Sequence, residues 1–180
     1  MKKAFLFSLI IAFVATVQLS QAQASWKATN ASVTFKIKNA GINVSGSFDG
    51  FKGKILFDPN NLAGSKFIGI VQAGTVNTKN RGRDRHLRKS DYFDVAQYPT
   101  IKMKSTKITK SGGKYYADFQ LTIKGKSKTY KVPFNFSQKG NQGTFNAYFE
   151  INRRDFGVGG GSLILSKTAK ITLNVTATKG

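Results

Sequence analysis

Apolar side chains recur at every second residue along most of this chain, and that period is the strongest constraint on its fold. Successive side chains of a β-strand point to opposite faces, so the period predicts strands with one apolar and one polar face. Strands of this kind are predicted at 33–38, 42–57, 101–104, 115–124, 130–136, 145–152 and 169–178, with a continuous apolar strand at 67–76. Because no strand segment has a helical period, the sequence predicts an all-β protein apart from a short helix or loop within 83–99.

Long antiparallel strands with a single apolar face fit either a closed barrel or a two-layer sandwich. Strands of about ten residues favour an eight-stranded antiparallel barrel, whose interior holds its own side chains or one small ligand. Pro133 falls in the polar phase of its strand, which predicts either an edge strand or an imperfect contact with a neighbour. The sequence therefore favours the barrel and leaves the sandwich as the alternative.

The first 24 residues have the features of a cleaved secretory signal. A basic start at Lys2 and Lys3 precedes an apolar run from residue 4 to 17, and the segment closes on the small-x-small pattern Ala22-Gln23-Ala24. The alternative is a membrane anchor, but the run is shorter than the roughly 20 apolar residues of a spanning helix. We expect cleavage after Ala24, a single domain over residues 25–180, and a periplasmic or secreted protein without a lipid anchor.

Amino-acid composition limits how this domain is stabilised and which classes of partner it is expected to bind. The chain has no cysteine, so its stability must come from packing and hydrogen bonds rather than from disulfides. Its formal net charge is +21, which favours anionic partners. We expect no nucleic-acid partner, because an exported protein rarely meets one. An anionic membrane surface remains a candidate, with a merely solvated basic surface as the alternative, and the oligomeric state is left open.

The predicted inward phase is rich in phenylalanine and nearly free of charge. Nine of its members are candidates for an apolar ligand-binding tube: Phe35, Phe48, Phe51, Phe119, Leu121, Phe134, Phe136, Phe145 and Phe149. Such side chains either fill a solid core or line a cavity, and periodicity alone does not separate the two. A ligand of such a tube would be long and apolar, because each buried methylene contributes roughly 0.8 kcal/mol.

The stretch 83–105 departs from the alternation over its first sixteen positions, and cationic side chains are concentrated at its start, within 81–89. Arginine forks match phosphate oxygens in pairs, which suggests a head-group site at the barrel mouth. The candidates are Arg81, Arg83, Arg85, His86, Arg88 and, from the second irregular region at 152–161, Arg154. Leu87, Phe93 and Tyr98 are expected to anchor the segment against one end of the barrel.

Catalysis and cofactors have little support. His86 is the only histidine and there is no cysteine, so we expect no metal site and no cofactor. His86 beside Asp84 is the one candidate for a general base. No nucleophile motif accompanies it, and we expect a structural role for His86 and no catalytic residues.

Five blocks of the sequence resemble the YceI family of exported bacterial proteins. They are Ser32–Lys38, Gly46–Asp58, Arg83–Ser105, Leu121–Lys128 and Ile151–Gly157. The resemblance implies a lipocalin-like barrel and a polyisoprenoid or other lipid held inside it. We therefore expect non-catalytic binding or transport of a long isoprenoid or fatty lipid. The alternative is a solid basic barrel that acts as an adaptor on anionic membrane or cell-wall polymer.

Overall fold

The computed structural model describes residues 23–180, so the predicted signal lies outside the described residues except for Gln23 and Ala24. Residues 23–180 contain nine strands and one α-helix. In chain order they are β1 Ser25–Asn39, β2 Ile42–Phe48, β3 Lys52–Leu56, β4 Lys66–Gln72, α1 Arg81–Leu87, β5 Thr100–Ser111, β6 Lys114–Ile123, β7 Lys126–Lys139, β8 Gln142–Asn152 and β9 Leu165–Lys179. Short 3₁₀ helices occupy Ala73–Thr75 and Arg153–Phe156. None of the helices within residues 23–180 has the length and hydropathy needed to cross a bilayer.

The sheet closes on itself into a barrel. Each strand from β3 to β9 pairs antiparallel with the next, and β9 returns to pair with β1 over almost its whole length. The N-terminal residues of β1 then pair with β3, which completes a ring of eight strands. The predicted eight-stranded antiparallel barrel is confirmed, with β2 as one extra strand.

Strands β2 and β3 act as two halves of one bent strand. Both pair with β1 on the same side, and they keep the same register across the gap between Phe48 and Lys52. Gly50 lies in this gap with a φ of +70°, a left-handed conformation that glycine adopts without strain. The 3₁₀ helix at Ala73–Thr75 covers the gap, where Thr75 Oγ1 accepts a hydrogen bond from the backbone of Asp49 at 2.8 Å.

The predicted continuous strand at 67–76 is shorter than expected. Strand β4 ends at Gln72, and the chain then turns into this 3₁₀ helix. Residues 73–76 are largely apolar because the turn they form is itself buried: Ala73 and Val76 are 1% and 0% exposed. A run of apolar residues does not by itself show where a strand ends.

Pro133 marks a place where two neighbouring strands separate. Strand β7 pairs with β6 from Lys126 to Phe134, but its pairing with β8 begins only at Phe134. Proline has no backbone N–H to donate, so the ladder ends beside it. The imperfect contact predicted at Pro133 is therefore present, and the chain between β8 and β9 fills the space that opens.

The two ends of the barrel differ. One end holds an aromatic cluster, here called the aromatic plug, composed of Trp26, Phe57, Phe67, Tyr115, Phe134, Phe136 and Phe145. Trp26 is 2% exposed, and its indole N–H donates to Phe57 O at 2.9 Å. Segment 73–99, the β6–β7 turn and loop 153–164 connect strands at the opposite end, here called the mouth.

Candidate functional site

A cavity of about 520 Å³ occupies the barrel between the aromatic plug and the mouth. Its wall is almost entirely apolar, with Val33, Ile55, Ile101, Met103, Ile171 and Leu173 among the aliphatic and thioether side chains. Phe67, Phe134 and Phe145 belong to both the plug and the cavity wall, so the plug forms the floor. Gly82, His86 and Ile164 border the cavity and are exposed to solvent, which shows that it opens at the mouth.

Eight of the nine predicted tube residues lie on this cavity wall. They are Phe35, Phe48, Phe51, Phe119, Leu121, Phe134, Phe145 and Phe149. Phe136 is placed differently: it packs edge-on against Trp26 and Phe57 within the plug, with ring centroids 5.4 and 4.9 Å apart. Its inward phase is as predicted, but its position below the floor keeps it away from the cavity. That the other eight contact a ligand stays a prediction.

Helix α1 forms one side of the mouth. The side chain of Asn80 caps the helix by accepting from the Arg83 backbone N–H at 2.9 Å. Leu87 and Phe93 pack against a small buried cluster of Phe48, Val71 and Val76. These contacts attach the helix to the barrel, as predicted for Leu87 and Phe93.

Asp84 attaches α1 to Thr78 in the loop that precedes the helix. Its carboxylate is 7% exposed and accepts from both the backbone N–H and the hydroxyl of Thr78, at 2.8 and 2.5 Å. Burial raises the pKa of Asp84, but the two Thr78 hydrogen bonds and the charges of Arg88 and Arg83 outweigh it and leave the pKa below its usual value. Asp84 is therefore an ionised structural anchor.

The structure separates the six head-group candidates into two groups. Arg83 and His86 line the cavity, whereas the remaining four do not: Arg81, Arg85, Arg88 and Arg154. Arg83 donates from Nε to the Thr78 hydroxyl at 2.7 Å and from Nη2 to the Thr78 carbonyl at 2.9 Å. The ring of His86 meets Tyr92 edge-on, with centroids 4.9 Å apart. Of the six, these two have the position that a head-group role requires.

The other four candidates face elsewhere. Arg88 donates to the carbonyls of Gly74 and Val76 at 2.7 and 3.2 Å, which ties α1 to the loop before it. Arg154 donates to Ser162 O at 3.2 Å. Arg81 and Arg85 are exposed on α1. Sequence alone did not separate these roles, because it does not show in which direction each arginine side chain of a short segment points.

Arg153 is the site residue that sequence reasoning missed. It is 3% exposed, borders the cavity, and has no acidic partner among residues 23–180. All five of its guanidinium N–H groups are instead used by backbone carbonyls, those of Val158, Gly160, Ser162, Leu165 and Ser166. Burial, and then the charge of Arg154, lowers the pKa of Arg153, yet an arginine stays protonated in proteins. Arg153 therefore shapes the loop 157–166 at the mouth.

Replacement of Arg153 by lysine is expected to loosen this loop. Lysine has three donors, so at least two of the five carbonyls lose their partner, and a hydrogen bond to a charged group contributes about 1.5–3 kcal/mol. We expect the free energy of local opening to fall by about 3–6 kcal/mol, seen as faster hydrogen exchange in residues 158–166. Arg154→Lys is the matched control, because Arg154 makes one such contact. Equal exchange in both variants would contradict the assignment.

His86 is the one candidate for a general base, with Asp84 as its proposed partner. Asp84 directs Oδ1 at Thr78. Among the hydrogen bonds of the described chain, none joins Asp84 to His86. Within the same residues, no group of three or more His, Asp or Glu side chains is placed to hold a metal ion. The arrangement at the mouth is that of an opening into an apolar space.

Comparison with known proteins assigns the chain to a family. The family model described as a YceI-like domain matches residues 25–177. The chain belongs to the YceI-like family. A UPF0312 protein of Yersinia pestis is 32% identical over 126 residues, which cover 68% of this chain and 66% of the relative. The chain thus spans slightly less than two thirds of the length of that relative.

Solved structures of other proteins superpose on this barrel. BcnA of Burkholderia cenocepacia has a TM-score of 0.79 and 28% identity, over 82% of this chain and 96% of BcnA. A polyisoprenoid-binding domain of Saccharophagus degradans, implicated in plant cell wall breakdown, has a TM-score of 0.68 and 15% identity, over 88% of this chain and 99% of that domain. At 15% identity the second comparison shows a shared fold.

Proposed function

We propose that this YceI-like protein binds one long-chain isoprenoid or related amphipathic lipid inside its barrel and does not transform it. The observation that supports the proposal most is the apolar cavity of about 520 Å³ that opens at one end. Cavities of roughly 300–1,000 Å³ with apolar walls and a few polar groups are typical ligand sites. The Saccharophagus degradans domain with the same fold is described as polyisoprenoid-binding, which agrees with this ligand class.

The cavity volume sets the part of the ligand that is enclosed. At about 520 Å³, the cavity has room for a few five-carbon isoprene units. At roughly 0.8 kcal/mol per methylene, burial of that length is ample for stable binding even after ordering costs. A longer tail, and any polar end, must lie at the mouth.

Arg83 and His86 are the groups we assign to the polar end of the ligand. Both border the cavity beside α1, and among the described residues Nη1 of Arg83 has no hydrogen-bond partner. That nitrogen is free to donate to a phosphate or carboxylate oxygen at the mouth. Together with the predicted signal at residues 1–24, this supports binding or transport of an amphipathic lipid in the bacterial periplasm.

Purification of the protein from cells that export it, without detergent, tests the proposal. We expect native mass spectrometry to show one bound molecule per chain, and solvent extraction to release a lipid. Added isoprenoid alcohols of increasing length should bind with saturable one-to-one stoichiometry. A protein that is repeatedly lipid-free and also refuses isoprenoid alcohols and fatty acids would overturn the proposal.

A further inference from the structure

Three large apolar side chains are exposed together beside the mouth. Ile42, Leu163 and Ile164 are 71%, 98% and 64% exposed, and we call them the apolar rim. In residues 23–180 the fourth large apolar side chain with comparable exposure is Tyr148, on the wall strand β8. Clustered apolar exposure of this kind marks an interaction surface, whereas a single exposed residue does not.

The backbone brings the rim residues together across two strands. Asn39 at the end of β1 is in register with Ile42 on β2 and with Leu165 on β9. The Ala40 backbone N–H donates to Ile164 O at 2.8 Å, which joins the β1–β2 turn to the loop before β9. Ile164 also borders the cavity, so the rim is continuous with the apolar interior.

The rim is held in place rather than left loose. Arg153 donates to carbonyls on both sides of Leu163 and Ile164, those of Ser162 and Leu165, at 3.3 and 2.9 Å. Leu163 therefore projects into solvent from a backbone that a buried charge fixes. An exposed apolar side chain on a fixed backbone is well suited to insertion into an apolar environment. Its backbone is already ordered, so little conformational entropy is lost on binding.

Cationic side chains surround the rim. Lys38 and Lys167 are exposed on β1 and β9, each within four residues of a rim residue, and Arg81 and Arg85 are exposed on α1 across the mouth. The segments 38–45 and 160–170 contain no Asp or Glu. The acidic residue of α1, Asp84, is buried against Thr78. The segments that carry the rim are thus cationic as well as apolar, whereas the exposed acidic residues of this end, Asp49 and Asp91, lie outside them.

We propose that the mouth docks on an anionic lipid bilayer, with the apolar rim inserted among the head groups and the surrounding cations in contact with lipid phosphates. Apolar insertion combined with basic side chains is the usual means of reversible attachment to a membrane surface. In this orientation the cavity opens directly toward the bilayer. Transfer of a lipid between bilayer and cavity rests on the proposed function, but the docking itself does not.

Sedimentation with vesicles of equal parts phosphatidylglycerol and phosphatidylcholine tests the docking. We expect Ile42→Ser combined with Leu163→Ser to weaken binding about tenfold or more, since neither side chain lines the cavity and both are exposed. Tyr148→Ser removes an exposed aromatic side chain on the barrel wall and is expected to leave binding unchanged. Equal binding of wild type and the rim variant would overturn the proposal.

A second pair of variants separates oriented docking from general attraction by a basic protein. Lys38→Glu with Lys167→Glu reverses two charges beside the rim, and Lys114→Glu with Lys139→Glu reverses two exposed charges at the plug end. Net charge is the same in both. We expect at least about 25-fold weaker binding for the first pair only, because each of the two lost charges contributes about fivefold near the surface. Equal losses in both pairs would overturn the oriented geometry.

A tryptophan at the rim reports which end of the bound protein faces the bilayer. The native Trp26 is 2% exposed inside the plug, at the opposite end of the barrel. In Leu163→Trp, brominated lipids should quench the new fluorescence and leave that of Trp26 unaffected. Quenching without any uptake of isoprenoid would support docking and count against the proposed function, whereas isoprenoid uptake without quenching would do the reverse.

Discussion

Ala169→Trp is expected to weaken isoprenoid binding by roughly a thousandfold while the barrel stays folded. Ala169 lies on the cavity wall and is 7% exposed, with Ile37 and Ile151 as its partners on the neighbouring strands. An indole ring there occupies the space of about one isoprene unit. At roughly 0.8 kcal/mol per buried methylene, the loss is about 4 kcal/mol, and each 1.4 kcal/mol is about tenfold in affinity.

Fold and binding can be measured separately in this variant. Overpacking a filled core typically costs about 1–3 kcal/mol, but the cavity can accept the ring, so we expect the free energy of unfolding to change by less than about 1.5 kcal/mol. Thr168→Trp is the control, because Thr168 precedes Ala169 on β9 and is exposed. Titration with an isoprenoid alcohol should give wild-type affinity for the control. Undiminished binding by Ala169→Trp would place the ligand outside the cavity.

The period-two alternation predicted most of the barrel, because every second side chain of a strand points to the same face, and the apolar set points inward. It was misleading at Ile42, which shares the phase of Val44 but is 71% exposed. The reason is position along the strand: Ile42 is the first residue of β2, next to the turn at the mouth end of the barrel. Alternation indicates the face on which a side chain lies, but not how far the interior extends.

The candidate site was less accessible to sequence reasoning than the fold. Whether inward phenylalanines fill a core or line a cavity depends on strand separation, which the one-dimensional pattern does not contain. The sequence block at 151–157 includes two adjacent arginines, yet one is buried with five carbonyl partners and the other is partly exposed with one. The two arginines differ in burial because loop 157–166 folds back over Arg153. The path of that loop depends on the tertiary structure, which the local sequence does not show.

Phe57→Ala is expected to cost about 3–5 kcal/mol of stability, the largest loss we anticipate from a single truncation in this chain. Phe57 is 0% exposed. Its ring contacts five other aromatic rings of the plug at centroid distances of 4.9–5.6 Å, those of Phe67, Tyr115, Phe134, Phe136 and Phe145. Removal of the ring leaves a space that these neighbours cannot readily fill. Urea denaturation of the purified domain measures the loss.

Phe51→Ala is the matched comparison, since Phe51 lies in the same predicted inward phase but on the cavity wall. Its ring is only partly buried, so it has fewer contacts to lose, and we expect less than half the destabilisation of Phe57→Ala. The two variants should also differ in ligand length. Truncation of Phe57 removes the ring that supports the floor residues Phe67, Phe134 and Phe145, so they can move and let a longer isoprenoid tail enter. Truncation of Phe51 widens the cavity without deepening it. Similar destabilisation and unchanged length preference in both would mean that the plug does not set the depth of the cavity.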